Sequence, residues 1–147
     1  FQIQDLKNLG HDALKIAFND FKKAIGSKKI AIKNVLLNQE VIAGIGNIYA
    51  DEILFLAHIH PVRPANKITH KELKDIYNAT KKILYRAIKL RGSSMSDYQD
   101  IQGKLGSYFN VRLVYGREGE CCPRCRSKIS RVKLRGRSMH FCKICQK

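Results

Sequence analysis

The chain has 147 residues and carries 28 Lys or Arg against 12 Asp or Glu, which gives a formal net charge of +16 at pH 7. No apolar run approaches the roughly 18 residues that a membrane-spanning helix needs, which excludes an integral membrane protein of the helical kind. The charge predicts a polyanionic partner, with nucleic acid first and an anionic membrane surface second, although no aromatic-rich basic amphipathic helix supports a membrane.

Two helices are predicted before a glycine-containing turn. Apolar residues recur at three- and four-residue steps over residues 12–25, and Gly26 suits the end of that helix. Ser27 is a candidate cap for a second helix over residues 28–37. Three lysines would lie in the first two turns of this helix, namely Lys28, Lys29 and Lys33. Because cations there oppose the helix macrodipole, we expect a bound phosphate to offset them.

A third helix is predicted to start near Asn47, whose side chain is a favoured N-cap. Gly44 and Gly46 precede it and flank one apolar residue. Glycines before a helix start let a ligand approach the backbone closely, and the free N–H groups there suit a phosphate. The glycines alone favour phosphate contact and a plain tight turn equally, and the net charge favours the phosphate.

The following segments are predicted to complete a helical core. Residues 48–57 form an apolar helix, and Thr69–Glu72 is a capping box that opens the longest helix, over about residues 70–91. The apolar stripe of that helix comprises Leu73, Ile76, Tyr77, Ile83, Leu84, Ala87 and Ile88. His58 and His60 lie in a predicted loop without a nearby carboxylate, and we interpret them as ordinary loop residues rather than metal ligands.

A long polar segment separates this helical part from the cysteines. Residues 92–110 are rich in Gly, Ser, Asp and Gln, which predicts a loop and linker. Val111–Tyr115 is predicted as a short strand. We therefore divide the chain into a helical domain over residues 1–110, expected to bind nucleic acid through its basic charge, and a small cysteine-containing module over residues 111–147.

Two cysteine pairs predict a metal site. The motifs CPRC at 122–125 and CKIC at 142–145 are sixteen residues apart, a spacing typical of a four-thiolate zinc site. The four candidate ligands are Cys122, Cys125, Cys142 and Cys145. Each pair aims two sulfurs at one point, and two pairs complete a tetrahedron around one structural Zn²⁺. A module this small is expected to draw its folding free energy from the metal, roughly 10–16 kcal/mol for such sites.

The charged residues around these cysteines are all basic. Between the pairs, residues 129–134 and 138–141 are predicted as a hairpin that turns at Arg135–Gly136. Residues 121–147 hold nine Lys or Arg and no Asp or Glu. Such a surface suits a polyanion, because surfaces that are merely soluble mix both signs. The odd cysteine count leaves Cys121 as a spare thiol and favours a reduced, cytosolic protein over a secreted, disulfide-bonded one.

Five separated motifs together resemble the bacterial formamidopyrimidine-DNA glycosylases. In chain order they are Asn38–Glu52, His60–Ala65, Arg91–Ser94 with Ser96–Tyr98, Val114–Arg117 and the CPRC…CKIC finger. The resemblance covers nearly all of residues 27–147. The RGSS…SDY loop favours this branch over the related endonuclease VIII glycosylases.

The resemblance implies a mainly α fold, with a helix–two-turns–helix domain followed by a small four-cysteine β-hairpin finger. It implies a parent enzyme that flips oxidised purines (8-oxoguanine and formamidopyrimidines) out of double-stranded DNA, excises them, and nicks the backbone by β,δ-elimination. By resemblance, Lys29 and Asn47 contact DNA, and Arg137 contacts the phosphate at the lesion and is the acid in δ-elimination. The same resemblance makes loop 92–106 the segment over the flipped base and the four cysteines the zinc ligands.

The same comparison of motifs marks a large departure. The family's nucleophile is an N-terminal proline followed by a glutamate, carried with a catalytic lysine on a β-sandwich domain, whereas this sequence starts Phe1-Gln2. We expect the chain to be the C-terminal half of such an enzyme, inactive alone, monomeric, and bound to damaged or abasic DNA at the bacterial nucleoid in the cytoplasm. The alternatives are a free-standing zinc-ribbon module that binds nucleic acid without catalysis, and a structural zinc protein whose basic patches contact proteins.

Overall fold

The computed structural model describes residues 9–90 and 107–147. Its helices are α1 (Phe18–Gly26), α2 (Ile32–Leu37), α3 (Asn47–Leu56) and α4 (His70–Lys89). Its strands are β1 (His11–Asp12), β2 (Ile42–Ala43), β3 (Ser130–Leu134) and β4 (Arg137–Phe141), and short 3-10 helices span Ala65–Lys67 and Tyr108–Val111. β1 and β2 are parallel, and β3 and β4 form an antiparallel hairpin. The predicted mainly α fold with a β-hairpin module is confirmed.

Helix α3 is shared by the two hydrophobic cores of the described residues. Apart from Asn47, Asp51 and Glu52, its residues are apolar on every side, which is the pattern of a buried helix. Ile53 and Leu54 belong to the main core between the helices. Phe55 belongs instead to a second core with Val114 and Ile129 of the finger. The finger is therefore packed directly against the helical part.

The first helix begins at Phe18, so the predicted start at residue 12 is wrong. The chain before it forms strand β1 and then turns at residues 13–15, and the Ala13 N–H donates to the Ala43 carbonyl at 2.9 Å. The Leu14 N–H also donates to the Asp12 carboxylate at 2.8 Å. Pairing with a distant segment outweighs the local helical pattern there.

The second helix begins at Ile32, so the predicted start at residue 28 is also wrong. The Ile32 N–H donates to the Arg63 carbonyl at 2.8 Å, and the Ala65 N–H donates to the Ile30 carbonyl at 2.9 Å. The predicted cap at Ser27 is wrong, since its hydroxyl donates back to the Lys23 carbonyl of α1. Lys28 and Lys29 consequently lie outside α2.

The predicted capping box of α4 is confirmed. The Glu72 N–H donates to the Thr69 hydroxyl at 3.2 Å, and the Thr69 N–H donates to the Glu72 carboxylate at 3.1 Å. Arg63 also donates to both Glu72 oxygens, at 2.6 and 2.9 Å, and this hydrogen bonding is the main cause that lowers the pKa of Glu72 to about 2. The apolar stripe is buried as predicted except at its edge, where Tyr77 is half-buried and Ile88 is 59% exposed.

The predicted strand at Val111–Tyr115 is wrong. Val111 ends a 3-10 helix, and the N–H groups of the next residues donate to a side chain instead of another strand. Of the predicted loop 92–110, residues 107–110 lie at that 3-10 helix, while residues 92–106 and the RGSS…SDY motif lie outside the described residues. The boundary at 110/111 stays a prediction. Within the described ranges, no helix is long and apolar enough to cross a membrane.

Candidate metal centre and nucleic-acid interface

The four predicted ligand cysteines form one cluster. Their sulfurs all lie within 4.8 Å of one another, with 3.8 Å between Cys122 and Cys145 and 3.4 Å between Cys125 and Cys142. Tetrahedral zinc with Zn–S bonds of about 2.3 Å requires sulfurs about 3.8 Å apart. The cluster therefore has the dimensions of a closed four-thiolate zinc site. Cys121 is exposed, and its sulfur is not part of the cluster.

The backbone of each CxxC turn supports its sulfurs. The Arg124 N–H donates to the Cys122 sulfur at 3.4 Å, and the Cys145 N–H donates to the Cys142 sulfur at 3.5 Å. Hydrogen bonds from Ser127 lower the pKa of Cys125 to about 6, while burial raises the pKa of Cys145 to about 12. Zinc binds cysteine as the thiolate, so metal binding displaces the protons of these thiols.

Glu52 fixes the chain where it enters the finger. Its fully buried carboxylate accepts hydrogen bonds from the N–H groups of Leu113, Val114 and Tyr115 at 2.6, 2.8 and 3.2 Å. The Tyr108 hydroxyl donates to the same carboxylate at 3.0 Å. A single side chain of α3 thereby satisfies three backbone donors that no strand partner takes.

The other end of the finger pairs with the loop after α3. The Lys147 N–H donates to the His58 carbonyl, and the His60 N–H donates to the Lys147 carbonyl, both at 3.1 Å. Gln146 bridges the Cys142 N–H and the Ile59 carbonyl. The His58 ring contacts Arg124, and the His60 ring accepts a hydrogen bond from the backbone N–H of Val62. Both histidines thus bind protein groups, as expected of loop residues.

The hairpin brings Arg137 close to the N-terminus of α3. Arg135 and Gly136 have φ angles of 52° and 80°, which a tight two-residue hairpin turn requires. Arg137 is exposed as the first residue of β4. The carbonyl of the next residue, Ser138, accepts hydrogen bonds from Lys33 at 2.8 Å and from the Asn47 amide at 3.3 Å. Asn47 and Arg137, 90 positions apart, therefore lie at one junction.

The side chain of Asn47 is not an N-cap. Gly46 occupies the N-cap position of α3, and Asn47 is the first helical residue. Its amide nitrogen points to the hairpin, and its Oδ1 is buried without a hydrogen-bond partner among the described residues. The predicted cap is wrong because the Asn47 amide binds the finger hairpin, a long-range contact that the local sequence does not show.

Lys33 is neutralised by a protein group rather than by a bound phosphate. Its ammonium lies 2.7 Å from Asp51 Oδ1, and both side chains are almost fully buried, at 2% and 0% exposed. Burial lowers the pKa of Lys33, and the Asp51 charge opposes that shift. The phosphate that we expected to offset the lysines of α2 is not required at Lys33. Lys29 is exposed before α2, outside this junction.

Sequence reasoning missed Asp51, Glu52 and His140. Asp51 and Glu52 are consecutive carboxylates inside an otherwise apolar helix, which could have signalled buried partners. His140 carries no such signal, because nothing in its neighbourhood distinguishes it from an exposed strand residue. The roles of Lys29, Asn47 and Arg137 in DNA contact stay predictions.

Comparison with known families identifies both parts of the chain. A family model described as the formamidopyrimidine-DNA glycosylase H2TH domain matches residues 9–99, more than half of the chain. The chain belongs to the formamidopyrimidine-DNA glycosylase family. A second model, a zinc finger found in FPG and IleRS, matches residues 119–147 and includes the four clustered cysteines. The cluster is therefore the site of one structural zinc ion.

Relatives named formamidopyrimidine-DNA glycosylase are similar to the whole chain. The one from Listeria innocua is 45% identical over 148 residues, which cover 99% of this chain and 54% of the relative. The one from Mycoplasmopsis pulmonis is 40% identical over 146 residues, which cover 99% of this chain and 52% of the relative. The chain spans about half the length of the curated relatives it matches.

Solved structures of formamidopyrimidine-DNA glycosylases share the fold. MutM (Fpg) from Thermus thermophilus aligns with a TM-score of 0.91 at 40% identity, over 98% of this chain and 56% of that one. Fpg from Lactococcus lactis, in a complex with DNA that contains an abasic site, aligns with a TM-score of 0.89 at 37% identity, over 98% of this chain and 54% of that one.

Proposed function

We propose that this chain is the DNA-binding part of a base-excision-repair DNA glycosylase/AP lyase that removes oxidised purines and nicks by β,δ-elimination. The observation that carries the proposal is the junction between the N-terminus of α3 and the finger hairpin. There the Asn47 amide donates to the Ser138 carbonyl, next in sequence to the exposed Arg137, and residues 121–147 around it hold nine basic residues and no acidic one. The similar Lactococcus lactis Fpg is known in a complex with abasic-site DNA.

The chemistry of this junction suits a DNA phosphate. The free N–H groups in the first turn of α3 and its positive dipole end attract an anion. The Asn47 nitrogen carries two hydrogens, so one remains for a phosphate oxygen when the other binds Ser138. Arg137 adds a guanidinium that forks onto two phosphate oxygens. By resemblance, Arg137 is also the acid of δ-elimination, and Lys29 contacts the backbone nearby.

All the proposed phosphate contacts come from one chain, so we propose that the chain binds double-stranded DNA as a monomer. We also propose that it does so at the bacterial nucleoid, in the cytoplasm, where damaged chromosomal DNA lies. By resemblance, the matching residues of this sequence serve DNA contact, the loop over the flipped base and zinc binding, and Arg137 alone is assigned to chemistry. The nucleophile of the resemblance has no counterpart among these 147 residues.

We expect the 147-residue polypeptide to bind abasic-site DNA and to release no 8-oxoguanine from a duplex. The test is a single-turnover excision assay with protein in excess, quantifying free base. Cutting of an abasic-site duplex by the same protein is measured separately. Such cutting does not count as glycosylase activity, because exposed lysine amines cut abasic sites slowly without specific catalysis. Release of 8-oxoguanine above the buffer background would contradict this part of the proposal.

We expect Arg137→Ala to weaken binding to an abasic-site duplex by at least about tenfold, because one charge-assisted contact to a phosphate is worth roughly 1.5–3 kcal/mol. The salt slope, the change of log K with log salt, should fall by about 0.9, the contribution of one phosphate. Zinc content should not change, since Arg137 is outside the cluster. Lys143→Ala is the matched control, because it removes another exposed basic residue of the finger. Equal effects of the two variants would reject a specific role for Arg137.

A further inference from the structure

We propose that Asp51 is a positioning residue for the proposed DNA contacts of Asn47 and Arg137. From the buried face of α3 it fixes strand β4 of the finger, so that Arg137 faces the same phosphate as Asn47. The inference rests on the proposed function, and it adds a residue that does not touch DNA itself.

Asp51 uses both carboxylate oxygens inside the protein. Its Oδ1 lies 2.7 Å from the Lys33 ammonium. Its Oδ2 accepts hydrogen bonds from the backbone N–H and from ring Nδ1 of His140, both at 3.0 Å. Asp51 is fully buried and His140 is 4% exposed, so water does not compete for these contacts.

These contacts hold strand β4 at Ser138 and His140, which follow Arg137 along the strand. His140 is held by Asp51, and the Ser138 carbonyl is held by Lys33 and Asn47. Asn47 and Asp51 are four residues apart on α3, so they lie on the same face, one turn apart. One face of α3 thereby carries Asn47 and also fixes strand β4, which carries Arg137.

The placement of this carboxylate is better explained by geometry than by charge. An acidic group next to a phosphate site opposes anion binding. Buried ion pairs also add little net stability compared with apolar packing, and their best-attested benefit is to specify one arrangement. A simple electrostatic view predicts that removing the Asp51 charge strengthens DNA binding, whereas a positioning role predicts that it weakens binding.

The test is a double-mutant cycle on the zinc-loaded chain, with an abasic-analogue duplex as the probe. We expect Asp51→Asn to weaken binding about tenfold although it removes a negative charge. Adding Arg137→Ala to Asp51→Asn should then weaken binding less than twofold further, because Arg137 is already misplaced. Asp75→Asn is the control for charge, since it changes the net charge equally at an ion pair with the exposed Lys71. It should bind as tightly as the parent chain or slightly more tightly.

Additive effects of the two substitutions, or binding by Asp51→Asn as tight as that of Asp75→Asn, would overturn the inference. If Asp51→Asn loses zinc, the pair Lys33→Met with Asp51→Leu avoids an unpaired buried charge and still removes the hydrogen bonds that position Ser138 and His140. In that background the inference still requires Arg137→Ala to have less than a twofold effect. Failure of the proposed function is distinguishable, because Arg137→Ala would then have no effect even in the parent chain.

Discussion

Cys142→Ser should abolish zinc binding and unfold the finger. Cys142 is fully buried, belongs to the second hydrophobic core, and lies 3.4 Å from the Cys125 sulfur. A serine cannot supply the fourth thiolate, and structural zinc binding is worth about 10–16 kcal/mol in small fingers. Unfolding of residues 121–147 displaces Arg137 and eight further basic residues, so DNA affinity should fall at least a hundredfold.

Cys121→Ser is the matched control, since Cys121 is adjacent to the cluster in sequence and its sulfur is outside it. It should retain one zinc per chain and parental affinity. Metal content by atomic spectroscopy, DNA binding and far-UV circular dichroism are measured for both variants. The helical signal should survive in Cys142→Ser, because the core around α3 and α4 is built without the cysteines. Zinc retained by Cys142→Ser, or lost from Cys121→Ser, would contradict the ligand assignment.

Glu52→Ala should destabilise the chain by about 3–5 kcal/mol, because it leaves several buried neutral donors without their acceptor. The substitution leaves the N–H groups of Leu113, Val114 and Tyr115 and the Tyr108 hydroxyl without their acceptor. Each such buried donor carries a penalty of about 1–3 kcal/mol unless water reaches it. Burial, reinforced by the Glu52 charge, raises the pKa of Tyr108 well above its ordinary value, so the hydroxyl stays a donor that needs a partner.

Glu52→Gln separates hydrogen bonding from packing. The amide has the same shape, but its nitrogen presents hydrogens to backbone donors that need an acceptor. It should destabilise the chain less than alanine and more than Asp75→Asn, a substitution at a partly exposed carboxylate. The measurement is urea unfolding at constant free zinc, followed by circular dichroism. A free energy of unfolding for Glu52→Ala within about 0.5 kcal/mol of the parent value would show that Glu52 does not hold the finger entry.

The parts of the fold that local sequence determines were predictable. The CxxC pairs, the Arg135–Gly136 turn and the Thr69–Glu72 capping box each act within a few residues, and the structure confirms all three. The starts of α1 and α2 were not predictable, because residues 11–13 and 30–32 pair with backbone at 42–43 and 63–65. Helical periodicity does not report such long-range pairing.

The candidate site follows the same division. Asn47 and Arg137 were identified through a family resemblance, and neither local periodicity nor charge shows that they meet. The Asp51–His140 pair joins residues 89 positions apart. It also changes the interpretation of Lys33, whose charge is offset inside the protein instead of by a ligand. Buried polar networks of this kind depend on tertiary packing, so a single sequence does not reveal them.

The most direct test of the proposed DNA binding is an affinity measurement across a salt series. The zinc-loaded chain is titrated with a short duplex that contains an abasic-site analogue and, for comparison, with the same duplex undamaged. We predict tighter binding to the damaged duplex, with log K falling steeply with log salt at about −0.9 per contacted phosphate. A flat salt response would contradict the account and favour a structural zinc protein. Equal affinity for the two duplexes with the same slope would show that this chain binds DNA nonspecifically and does not recognise the lesion.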